Sequence, residues 1–240
     1  VTFADLALLA TIIGVGAGLQ RLTGMGFALV ASPFLVLTAG PVEGVLVTNA
    51  CGVVSSLLNL GLVHRDVEWR RLLRFTPFSL VGIVLGVLVL QVLPADPLAV
   101  LVGVMILIAI GVTVVARPGA VTDGLPVSSG FGTASGFMNV TAGVGGPALA
   151  VYAAATGWAH KGFAASAQAH FLLLSALSLV AKGSLPSMEG SGWVVTIAAI
   201  LVGAAIGQRL AGRFAGKTLM RVVLALSIAG AVMTIAQALI

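Results

Sequence analysis

Charge is what this sequence has least of. Acidic and basic residues together make up 8% of its 240 positions, against about 25% in an ordinary soluble domain. With 59% hydrophobic residues, a soluble fold would lack the polar surface to cover itself, and the bilayer is left as the natural solvent. A single cysteine, Cys51, rules out an intramolecular disulfide and any CxxC motif. There is no HExxH, no GxSxG and no pair of neighbouring carboxylates fit for acid–base work. The sequence therefore predicts no enzyme, no cofactor and no bound metal. All seven acids, Asp5, Glu43, Asp66, Glu68, Asp96, Asp123 and Glu189, stand at the ends of apolar segments. That argues against a carboxylate proton relay and against a cation permease. The net charge of +5 does not point to nucleic acid, because the basic residues gather in two short loops where topology signals sit. No basic n-region precedes the opening run VTFADLALLATIIGVGAGL, which reads as a membrane segment rather than a signal peptide.

What is abundant is glycine, at 31 residues, a residue that lets membrane helices approach closely. The apolar segments are long enough to span hydrocarbon, which takes roughly 20 residues. A first segment, Leu6 to Thr38, is interrupted between Gln20 and Gly26; Val45–Val63, Phe75–Leu93 and Leu98–Ala116 follow. After a Pro/Gly/Asp linker the order repeats. Ser128 to Gly157 is interrupted between Asn139 and Gly146, and Phe163–Ala181, Gly192–Phe214 and Leu219–Ala238 follow. GLQRLTGMG at Gly18–Gly26 overlays GFMNVTAGVG at Gly136–Gly145 with one gap, and Gly82/Gly86 match Gly203/Gly207. The predicted division is a first repeat over 1–117, a linker over 118–126 and a second repeat over 127–240.

Charge sets the expected orientation. Arg65, Arg70, Arg71 and Arg74 lie in one loop, and Arg209, Arg213, Lys217 and Arg221 in another. Both are predicted to be cytoplasmic by the positive-inside rule. Counting crossings between them makes each interrupted segment a hairpin that returns to its own side. The expected fold is an all-α polytopic membrane protein of two inverted repeats, each a glycine-broken helical hairpin plus three transmembrane helices. Both termini fall outside in this scheme. Each hairpin arm is predicted at about 14 to 17 residues, or about 21–25 Å at helical rise.

The Gly-rich opening of each half, VEWRRLL at Val67–Leu73, Leu93-Pro94, IGQRLAGRF at Ile206–Phe214 and LMR at Leu219–Arg221 resemble the TauE/SafE family of membrane permeases, in order and over nearly the whole chain. GMGFALVASP stands where that family usually has a GGG-type run, and Glu68 where it usually has aspartate. The resemblance implies a multi-pass protein of the inner cell membrane that exports a small sulfur-containing oxyanion, sulfite or an organosulfonate such as sulfoacetate. An anion channel or a permease for another small solute are the alternatives. The expected partners are the small anion and the lipid bilayer; the oligomeric state is not readable.

Interrupted helices leave N–H groups that attract anions. The candidate substrate-binding residues are Gln20, Arg21, Thr23, Gly24 and Gly26 in the first half, and Asn139, Thr141, Gly143, Gly145 and Gly146 in the second. Tight packing and helix capping are the competing roles. Asn49, Gln168 and His170 lie within the second spans, where an amide must face a cavity or a neighbouring helix. His170 is the only deep group able to exchange a proton near neutral pH. Arg21 is the sole base inside an apolar segment, and a guanidinium suits an oxyanion. On this reading Arg21→Ala abolishes anion binding in a protein that still folds, measured by the thermal shift that sulfite or a sulfonate produces.

Overall fold

The computed structural model describes residues 3–24, 27–115, 119, 121–211, 213 and 216–240. Within them the chain is all-helical. The helices are α1 (Phe3–Thr23), α2 (Phe27–Ala39), α3 (Pro41–Val63), α4 (Trp69–Val92), α5 (Ala95–Val115), α6 (Leu125–Ala142), α7 (Gly146–Ala155), α8 (His160–Lys182), α9 (Gly190–Leu210) and α10 (Gly216–Ala238). Seven described helices, α1, α3, α4, α5, α8, α9 and α10, are long and apolar enough to cross a membrane. The chain is a multi-pass membrane protein.

The hairpins differ from expectation in the lengths of their arms. α1 has 21 residues and α2 only 13; α6 has 18 and α7 only 10. The apolar run stops at Leu19, but the helix does not, because Gln20 and Arg21 find hydrogen-bond partners on other helices. Each first arm ends at a glycine in the left-handed region, Gly24 at φ +86° and Gly143 at φ +74°, a conformation that costs other residues a steric penalty.

The tightest crossings are made by glycine. α1 lies along α9 and α6 along α4, so each hairpin's first arm rests on a helix from the other half of the chain. A Cβ added at Gly207 would come within 2.6 Å of the Gly18 carbonyl oxygen, and one at Gly132 within 2.6 Å of the Phe75 oxygen. Gly136 fits against Ser79 in the same way. α3 packs on α8 and α5 on α10. Asp123, just before α6, accepts a 2.6 Å hydrogen bond from Tyr152 on α7 and pairs with Arg74 at 3.3 Å, which ties the short arm to the start of α4. Among the described residues, Arg21 lies beside Gln208 and near Asp66. The ends of α1, α3 and α9 therefore share one end of the molecule, the Arg-rich end.

Overpacking a close crossing costs about 1–3 kcal/mol. Gly136→Ala and Gly207→Ala are expected to lower the melting temperature in detergent, while Gly61→Ala, which meets nothing within 4 Å, leaves it unchanged or raises it.

Candidate functional site

The two hairpin tips line one cavity. Gln20 on α1 and the first residues of α2, Phe27 to Leu29, form one side. Asn139 on α6, Gly143 to Gly145, and the first residues of α7, Gly146 and Pro147, form another. Thr48, Gly52 and Ser56 of α3, with Phe171 and Ser175 of α8, complete it. These α3 residues recur every four positions, so one face of an otherwise apolar helix is turned to the tips. The room is about 30 Å³, where one water needs roughly 10–15 Å³ by the same measure. No described lining residue is charged.

Two amide pairs flank this space. At the end nearer the Arg-rich loops, Gln20 Nε2 donates to Gln168 Oε1 at 3.1 Å, and Ser55 Oγ donates to Gln20 Oε1 at 2.6 Å. Gln168 Nε2 also donates to the Gly24 carbonyl at 2.8 Å, so the clasp includes the tip itself. Toward the opposite end, Asn139 Nδ2 donates to Asn49 Oδ1 and to Ser178 Oγ, each at 2.9 Å. In each pair an amide on one half's hairpin meets an amide on the other half's second span. Along α3 the layers of Asn49 and Ser55 are about 9 Å apart at 1.5 Å per residue.

Electrostatically, the cavity is a donor site. The short arms α2 and α7 begin at it, and a helix N-terminus carries about half a positive charge on its free N–H groups. Several of the opposing carbonyls at the ends of the first arms are already engaged. Gly143 N–H donates to Asn139 O, Val144 N–H to Met138 O, and Gly24 N–H to Gln20 O; Ser32 Oγ donates to Ala142 O. Ser56 Oγ lines the cavity, is fully buried and has no partner among the described residues. Asn49 Nδ2, beside the lining Thr48, is likewise unpartnered.

The other predicted residues are distributed around this core. Arg21 is outside the cavity: its Nε donates to Gln208 Oε1 at 2.6 Å. It lines a separate vestibule of about 320 Å³ with Thr23, Gly24, Asp66, His160 and Lys161, on the far side of the Gln20–Gln168 clasp. Thr23 Oγ1 donates to the Leu19 carbonyl. Thr141 donates to the Phe137 carbonyl and lines a second vestibule, of about 310 Å³, with Lys182 and Gln91. His170 sits behind the tip rather than in the cavity. Its Nε2 lies 3.0 Å from Ser135 Oγ and its Nδ1 3.1 Å from Thr76 Oγ1. Because Ser135 Oγ already donates to the Gly145 carbonyl at 2.8 Å, it can only accept from histidine. A neutral ring protonated on Nε2, with Thr76 donating to Nδ1, satisfies all three. His170 thereby props Ser135 under the second tip. Gly26 lies outside the described residues. Ser56, Ser175, Ser178 and Lys182 were not among the predicted site residues. The serines continue the polar stripes begun by Thr48 on α3 and Ser166 on α8, and following those stripes to their ends would have found them.

Ten described α-helices, seven of them long and apolar enough to cross a membrane, surround an uncharged cavity and make this a polytopic membrane protein. The family model for the sulfite exporter TauE/SafE matches residues 8–234, and the chain belongs to that family. No curated protein and no solved structure matches it.

Removing one amide of a buried clasp orphans its partner, at about 1–2 kcal/mol. Gln20→Leu and Asn139→Leu are each expected to lower the melting temperature by roughly 2–8 °C. The two clasps share no residue, so the double variant should show the sum of both losses to within about 0.5 kcal/mol.

Proposed function

We propose that this protein is a secondary transporter that exports a small sulfur oxyanion, sulfite or an organosulfonate such as sulfoacetate, across the inner membrane by alternating access. The observation that carries this reading is the constricted cavity between two amide clasps. At about 30 Å³ it has room for only about two or three waters, so a sulfur oxyanion enters only when one side spreads. In the proposed cycle the Gln20–Gln168–Ser55 layer parts while the Asn139–Asn49–Ser178 layer holds, and then the reverse. A channel, by contrast, needs a continuous path through both layers.

The anion class is supported by the family match, by helix N-termini at the cavity and by unpartnered donors. Substrate contacts are assigned to the Ser56 hydroxyl and the backbone of Gly145 and Gly146, with Gln20 and Asn139 as cavity-facing members of the clasps; Thr48 and Gly143, whose donors are engaged by Gly44 and Asn139, shape the wall. Gln168 and Asn49 complete the clasps. Arg21, with Thr23, Gly24 and Lys161, would gather anions in the vestibule, and the Arg-rich end is taken as cytoplasmic. Inverted repeats over 1–117 and 127–240 account for the pairing of helices. Exchanging the halves turns the α1–α9 contact into α6–α4 and leaves α3–α8 and α5–α10 as they are.

In proteoliposomes, sulfite or a sulfonate should enter with saturable kinetics and be accelerated by the same anion on the other side. Ser56→Ala should raise KM about tenfold, the cost of a lost hydrogen bond to a charged ligand. Because Arg21 lies in the vestibule and not in the cavity, Arg21→Ala should leave counterflow measurable, in place of the loss of binding expected from the sequence. Conductance without acceleration from the far side would make the protein a channel. Failure of every sulfur oxyanion to move would overturn the substrate class.

A further inference from the structure

We infer that the cavity is matched in charge to a singly charged XO3-type anion, and that it discriminates against dianions of the same shape. This rests on reading that cavity as the substrate site. The lining supplies no guanidinium, ammonium or imidazolium. Its positive potential comes from the starts of α2 and α7, each worth at most about half an elementary charge, so the two together balance no more than about one negative charge. Of the carbonyls that oppose them, those of Gln20, Met138, Asn139 and Ala142 already accept hydrogen bonds. A second, independent observation points to a ligand: Ser56 Oγ is fully buried, lines the cavity and lacks a partner among the described residues. The nearest bases cannot make up the difference. Arg21 and Lys161 lie beyond the Gln20–Gln168 clasp, Lys161 is held by Asp66 at 2.8 Å, and Lys182 lines the vestibule at the other end. A dianion would therefore keep about one uncompensated charge in a low-dielectric site. Within the proposed substrate class, sulfite is then taken as hydrogensulfite rather than as the dianion, and a sulfonate group is selected over sulfate.

Methanesulfonate and methylphosphonate test this, because they share a tetrahedral CH3–XO3 shape. The sulfonate stays a monoanion, while the phosphonate passes from monoanion to dianion between mildly acidic and mildly basic pH. Affinities are measured by thermal shift or calorimetry on the purified full chain. Methanesulfonate is expected to bind equally across the range. Methylphosphonate should match it at acidic pH and lose on the order of a hundredfold as the dianion, the penalty of one unbalanced charge in a membrane. The titratable groups around the cavity, His170 behind Ser135, Cys51 on α3, Asp66 and His160 in one vestibule and Lys182 in the other, act on both ligands, so the methanesulfonate curve isolates their share. Ser56→Ala should weaken both ligands without changing either pH profile. If methylphosphonate holds or gains affinity as it ionises while methanesulfonate binds, charge matching is wrong and the anion site stands. If neither ligand binds at any pH, the anion site falls, and this inference with it.

Discussion

An amide side chain in hydrocarbon has no water to fall back on, so it must find a protein partner or unfold its surroundings. This chain meets that demand by having each half satisfy the other. Gln20 is bonded to Gln168 and Asn139 to Asn49, and all four are buried. The cross-pairing fixes where the hairpin tips stop and how far apart α3 and α8 stand. It also decides which backbone groups remain free to face the space between. The cavity follows from these bonds, and so does its small size. A bond of this kind is strong enough to hold a tip and weak enough, at about 1 kcal/mol, to part when a ligand offers something in return.

Charge divides the molecule into zones with different tasks. The Arg21 guanidinium and the Lys161 ammonium stand in the vestibule at the Arg-rich end, outside the enclosed space. The enclosed space is served by neutral donors and helix ends, which cost far less to desolvate than a full charge. A lone arginine in the enclosed space would bind an anion firmly between visits but would need its own partner whenever the site was empty. Helix N-termini carry no such obligation, because their partial charge is part of the backbone.

Much of the architecture was legible in the order of apolar runs, because a bilayer forces every span to declare itself by length. The two interrupted segments and the positions of the loops read directly from spacing. The lengths of the arms did not, since Gln20 and Arg21 look like a helix end until their partners, more than a hundred residues away, are known. The same distance hid the place of Arg21: its rarity in an apolar run marked it as notable, but only Gln208 says which way it points. Asn49, Gln168, Asn139 and Gln20 stood out as amides in apolar surroundings, and pairing was the physical requirement that singled them out. Ser56 gave a fainter signal, because a serine in a membrane helix commonly bonds its own backbone, as Ser227 does with Val223.

The resting of each first arm on a helix of the opposite half has a consequence for biogenesis. The ribosome delivers the two grooves in unequal order. When α6 emerges, α4 is already in place to receive it. α1, made long before α9, must wait for it. The second hairpin's first arm finds its groove on a helix already made, while α1, packed meanwhile on α2 of its own hairpin, gains its α9 neighbour only much later in synthesis.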